Sequence, residues 1–185
     1  MTWKLAFPFA NDYPVITRED ILAFEGRNQL KLPADYAAYL LAHRGSSPMF
    51  QNEDGRFRAV EFDVDWERKA AKSYGDRCGL ESTFSIFEGK VIESPYKGGC
   101  DLDDNIVWNR HLHPPGLLPI GMDAGNSLFL LGVEGELAGQ VFFLSTFHIP
   151  YPMSDDHIGF IADSFTAFLA AARPMHRDDI PAAPP

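Results

Sequence analysis

Apolar and polar positions along the chain first mark two helices. Thr17 stands three residues before Asp20, the spacing of a capping box with Asp in place of Glu, and Ile21, Leu22 and Phe24 follow as a short apolar face. The second helix is marked more sharply. Pro33 suits a first turn, where its missing N–H would be unpaired anyway. Tyr36, Tyr39, Leu40 and His43 then recur at i, i+3, i+4 and i+7, one stripe of a 3.6-residue period. Gly45 can supply the left-handed C-cap.

The pattern then changes to period two. Phe57, Ala59 and Glu61 alternate with Arg58, Val60 and Phe62, as in a half-buried strand ending at Asp63. Residues 64–82 are ambiguous, with Trp66 to Tyr74 readable as a short helix or a loop. Thr83 to Phe87 reads as a strand that turns at Glu88-Gly89 into Lys90 to Glu93. Residues 94–100, with Pro95, Gly98 and Gly99, read as a loop. Asp101 to His111 suits a short helix capped by Asp101, with acids on its first turn, where the helix dipole favours them. Three strand-like runs follow: Leu117 to Ile120, Ser127 to Gly132 and Gln140 to Leu144. Glycine-bearing turns between them favour antiparallel pairing. Leu128-Phe129-Leu130-Leu131 is apolar throughout and belongs in the middle of a sheet. A closing helix carries Phe165, Phe168, Leu169 and Ala172 on one stripe, capped by Asp163 or Ser164 and stopped by Pro174. Residues 1–174 therefore form one domain, and the Pro/Ala-rich tail 175–185 is expected to be disordered.

Composition narrows the picture. The 185 residues are 45% apolar with 15 Phe, enough to build a core. Cys78 and Cys100 make no disulfide framework and fit a reducing cytoplasm. The start Met1-Thr2-Trp3-Lys4 lacks the charged and apolar regions of a signal peptide, and no stretch has the ~20 apolar residues of a membrane span. Net charge is −10, and it is uneven: residues 101–185 hold 3 Lys/Arg against 11 Asp/Glu. Such a field repels phosphate backbones and would speed capture of a basic protein, although solubility alone can also account for it.

Catalytic and metal chemistry finds little support. Asp101, Asp103 and Asn105 have the spacing that opens a calcium loop, but Ile106 and Leu112 stand where Gly and Glu are needed. His111 and His113 would share a face on a strand, yet Pro114, Pro115 and Gly116 make the segment a loop. His43 reads as a packing residue, and His148, His157 and His176 have no cluster around them. Acids next to Cys100 oppose thiolate formation. Cys78 beside Arg77 is better placed but has no nearby His in sequence. Nucleophile-elbow and phosphate-loop motifs are absent from the sequence. The expectation is a chain with no catalytic residue, no metal and no cofactor.

A resemblance supplies the rest. Leu32-Pro33-Ala34-Asp35-Tyr36-Ala37-Ala38-Tyr39-Leu40-Leu41 resembles the "LPxDYxxFL" helix of the SUKH superfamily, the Smi/Knr group of bacterial immunity and fungal regulatory proteins. Leu118-Pro119-Ile120-Gly121 with Asp123-Ala124-Gly125-Asn126 is similar to its "PIGxDxxGD" strand and turn. Gly139-Gln140-Val141-Phe142-Phe143 resembles its "GxVYxW" strand. Ile161-Ala162-Asp163-Ser164-Phe165-Thr166-Ala167-Phe168-Leu169 resembles its closing "VADSFxxFL" helix. Arg44 and Ser46 stand where that family often has Asn and Gly. The resemblance implies an α+β fold with a mainly antiparallel sheet of about five to six strands, flanked by helices at the N- and C-terminal ends. It implies no cofactor and no catalytic residue. In bacteria it implies a cytoplasmic immunity protein that neutralises a cognate toxin; the alternative is a regulatory or scaffold module with no toxin partner.

A binding protein needs a surface. The candidates are Asp101, Asp103, Asp104, Trp108, Asp123, Asp155 and Asp156, with Tyr96 and Tyr151 nearby. An acidic rim around aromatic anchors would suit a basic toxin such as a nuclease. The other reading is that the aromatics are core and the acids merely face solvent.

Overall fold

A computed structural model describes residues 2–66, 75–90, 97–146 and 157–175. Expectations for Trp66 to Tyr74, for the strand beyond Lys90, for Tyr96, His148, Tyr151, Asp155, Asp156 and His176, and for the tail beyond Met175 fall wholly or mainly outside those residues.

The chain folds in the order β1 (Trp3–Ala6), α1 (Arg18–Asn28), α2 (Ala34–His43), β2 (Met49–Asn52), β3 (Phe57–Arg58), β4 (Val60–Asp63), β5 (Arg77–Leu80), β6 (Ser82–Thr83), α3 (Lys97–Cys100), α4 (Leu102–Asn109), β7 (Leu117–Met122), β8 (Leu128–Gly132), β9 (Val141–Leu144), β10 (Ile158–Ala162), α5 (Phe165–Ala171) and β11 (Arg173–Pro174). All strand pairs between these elements are antiparallel. They form a five-stranded sheet in the order β10-β9-β8-β7-β6 and two three-stranded sheets, β1-β2-β3 and β11-β4-β5. The expected α+β class holds, with the strands divided among three sheets.

The apolar run of β8 does sit at the sheet centre. Phe129 and Leu131 face the main core, while Leu128 and Leu130 face a second cluster with Leu117 and Leu144. Burial on both faces is why the run shows no alternation. Above the main core lie α2 and α5. Tyr36 meets Phe165 edge-on at 4.8 Å, and Phe168 stacks on Phe62 at 4.1 Å. Each fully buried Phe contributes about 2 kcal/mol of burial.

Local signals set the helix ends. Thr17 and Asp20 form the reciprocal capping box on α1. Ile21 and Phe24 face inward, but Leu22 is 61% exposed and leaves the expected apolar face. Pro33 sits at the N-cap of α2, one place earlier than a first-turn residue, and Arg44 rather than Gly45 is the left-handed C-cap. Gly45 is left-handed as well, at φ 74. Ser164, not Asp163, caps α5 by accepting from the Ala167 N–H. That helix ends at Ala171 before Pro174, which pairs with Val60 on a short strand.

Several expected elements are redrawn. The strand expected over Phe57 to Asp63 is two strands, because β3 pairs with β2 whereas β4 pairs with β5 and β11. Its alternation breaks at Glu61, which is buried beside Val60 and Phe62. The strand expected over Thr83 to Phe87 is regular only at Ser82–Thr83, since Ser85 leaves β7 to bridge Asp101. Lys97–Cys100 is a helical turn, not a loop. Ile161 and Ala162 belong to β10 rather than to the closing helix. That strand continues the sheet toward β4 through paired Asp65 and Phe160. Gly159 makes this approach possible: a Cβ there would lie 2.3 Å from Val64 and 2.8 Å from Trp66.

Candidate protein-interaction surface

The segment Cys100 to Leu102 is tied to the sheet before α4 begins. Ser85 N–H donates to the Cys100 carbonyl at 2.8 Å, and Leu102 N–H donates to the Ser85 carbonyl at 2.8 Å. Asp101 then caps α4 by accepting from the Asp103 N–H at 3.0 Å. On the inner face Leu102 is fully buried. Asn105 donates to the Asp101 and Gly99 carbonyls at 2.8 and 3.0 Å. These bonds join α3 to α4 and fix which side of α4 turns outward.

Among the described residues, the candidate acids do not form one open rim. Asp101 is 7% exposed, not a solvated first-turn acid. Burial is the main force that pushes its carboxyl up to about 6, with the charges of Asp103 and Asp104 adding to it against the Asp103 and Phe87 N–H donors. Asp103 is held by α1: the Arg27 Nε donates to its Oδ1 at 2.8 Å, and Asn28 donates to the same oxygen at 2.8 Å. Asp123 organises the β7–β8 turn by accepting from the Gly125 and Ser127 N–H groups at 2.8 and 2.7 Å.

The structure does bring Asp104 and Trp108 together on the outward face of α4. Asp104, Val107 and Trp108 occupy i, i+3 and i+4, and His111 follows just past the helix. Val107 is 59% and Trp108 52% exposed, so the apolar pair stands beside the acid in water. Isolated exposed apolar residues are ordinary, but a half-exposed Trp next to a Val on one helix face has the character of an interface anchor. Sequence reasoning passed over Val107. Its signal was present in the spacing 104, 107, 108 once Leu102 and Asn105 marked the opposite face.

The remaining chemistry is structural. The His113 Nδ1–H donates to the Pro114 carbonyl at 3.1 Å, and burial lowers the ring's pKa. His43 stacks on Phe7 with centroids 3.7 Å apart, in keeping with a packing role. Both cysteines are buried. Burial pushes the Cys78 thiol well up, helped by Asp123, Asp63 and Glu61, so Arg77 does not activate it. Among the described residues no group of three or more His, Cys, Asp or Glu is placed to hold a metal ion, and no helix is long and apolar enough to cross a membrane.

The model of the SMI1 / KNR4 family (SUKH-1) matches residues 15–171. No curated protein and no solved structure matches the chain.

Proposed function

The chain belongs to the SMI1 / KNR4 family (SUKH-1), and on that ground we propose that it works by binding a protein, as the immunity protein of a toxin made alongside it. The observation that carries this reading to particular residues is the exposed Val107–Trp108 pair beside Asp104 on α4. An aromatic side chain that is already half in water loses little on leaving it and gains a large contact area in a partner's pocket. Asp104 and the net negative charge of residues 101–185 favour a partner with a basic face, whose approach they accelerate at low salt. A toxin with a cationic substrate cleft, such as a nuclease, has that face. Seating α4 against the cleft would block substrate entry without any chemistry by the inhibitor.

The test is a protection assay in cells that express the toxin encoded beside this gene. Co-expression of the full chain is expected to restore growth, and Trp108→Ala is expected to lose protection at equal protein level. Failure of the unaltered chain to protect would leave the alternative, a regulatory module with no toxin partner.

A further inference from the structure

A second surface has the opposite charge. A cleft of about 320 Å³ is lined by Trp3, Arg58, Glu61, Arg77, Arg173 and Pro174. Five strands build it. Across the β11-β4-β5 sheet Arg173 pairs in register with Glu61, and Asp63 with Arg77. Glu61 and Asp63 share one face of β4 by the period of two, so guanidiniums rise on either side of the two carboxylates. Arg77 bonds Glu61 at 3.5 Å and lies 3.8 Å from Asp63, while Arg173 Nη2 donates to Asp63. Arg58 arrives from β3 and places its guanidinium 4.5 Å over the Trp3 ring.

This arrangement is incomplete in two respects. Arg77 and Arg173 between them reach the two carboxylates of β4. Arg58 has no carboxylate within ion-pair reach among the described residues, so its positive charge is unmatched. The Nε of Arg173 is buried with no acceptor. A buried donor without a partner is costly, and its side chain lines the cleft that an acceptor would enter. The ligand that fits is a monoanion with planar, paired acceptors, because a guanidinium presents a planar fork of donors. A phosphate dianion would exceed the single charge of Arg58 and meet Glu61, which is only 5% exposed, on the cleft wall.

We propose that this cleft is a carboxylate-binding site, which takes an acidic side chain or a chain-terminal carboxylate beside Trp3, Arg58 and Arg173. The proposal stands apart from the toxin reading and does not depend on it.

Titration of the full chain followed by nitrogen–proton correlation spectra tests it, read at the Trp3 indole N–H and the Arg173 Nε–H. The probes are N-acetylglutamate α-amide for a side chain and N-acetylglycine for a terminus, with N-acetylglutamine amide as neutral control and inorganic phosphate as competing anion. Saturable shifts with at least one carboxylate are expected, and the tighter of the two identifies the source. Arg58→Gln and Arg173→Lys are each expected to weaken binding at least ten-fold, and the exposed Arg56→Gln to leave it unchanged. The spectra also report whether each variant is folded. No saturable shift with either carboxylate, equal shifts with the neutral amide, phosphate bound as tightly as the carboxylate, or unaltered affinity in folded Arg58→Gln would overturn the proposal.

Discussion

Arg27 on α1 grips Asp103 on α4 with two donors, Nε to Oδ1 and Nη2 to Oδ2, across 76 positions of sequence. Their side chains are 33% and 22% exposed, so water screens the pair only in part. A double-mutant cycle with Arg27→Ala and Asp103→Ala, read by urea denaturation, is expected to give a coupling of about 1 kcal/mol. The coupling should shrink only modestly with added salt. A value near zero would mean that the pair does not hold α4 against α1.

Asp101 makes stability depend on pH. Folding raises its pKa from 3.8 to about 6, so the folded chain binds more proton than the unfolded chain in that interval. The group's stabilising contribution is complete below about pH 4 and is lost as pH rises through about 6. Asn at this position keeps a capping oxygen and cannot ionise. Asp101→Asn is expected to flatten the stability profile between pH 4 and 6 and to add about 1 kcal/mol at pH 7, a figure discounted for screening. Melting temperatures across that range check it.

The turn after α2 tolerates no side chain at its second left-handed residue. A Cβ on Gly45 would lie 2.7 Å from the Phe84 carbonyl oxygen and the Ser85 Cβ. The same turn is bonded to β6, where Thr83 donates to the Gly45 carbonyl at 2.6 Å, and to α2, where Tyr39 donates to the Ser46 carbonyl at 2.7 Å. Gly45→Ala is expected to cost about 2 kcal/mol or more. Arg44→Gly, which relieves a left-handed φ of 58, is expected to be neutral or stabilising by about 0.5 kcal/mol. Chemical denaturation of the two variants compares them.

Cys78 and Cys100 are both 5% exposed, and burial raises both thiols above their ordinary range. Thiol-reactive disulfide reagent is expected to label the native chain at least about a hundred-fold more slowly than the urea-unfolded chain. Rapid labelling of one thiol under native conditions would mark that site as open.

What the sequence made legible follows from what each element asks of its own residues. The α1 box needs only Thr17 and Asp20, three apart, and β8 needs only a run of apolar side chains. Both are local patterns. By contrast, β1 and β2 are strands because they pair with each other, Trp3 opposite Asn52, and neither has length enough to show alternation by itself. The last two residues of β10, Ile161 and Ala162, stand in a motif that resembles a helix, and Gly159 marks the strand's close approach only once Val64 and Trp66 are beside it. The site divides in the same way. Asp104 and Trp108 share a helix face that their spacing already implies. Asp103 and Asp123 look identical to Asp104 in sequence, yet one is bound by a distant arginine and the other by its own turn. The arginine cleft is assembled from five strands, and no local spacing announces it.

The central claim is that the outward face of α4 binds a protein partner. Titration calorimetry of the purified chain with a catalytically disabled form of the toxin proposed as its partner tests it most directly, alongside Trp108→Ala. Because Trp108 is 52% exposed, the variant should keep its folding stability within about 0.5 kcal/mol. The account predicts tight binding by the unaltered chain and a loss of at least about thirty-fold in Trp108→Ala, equivalent to about 2 kcal/mol. Equal affinity of the two proteins would contradict it.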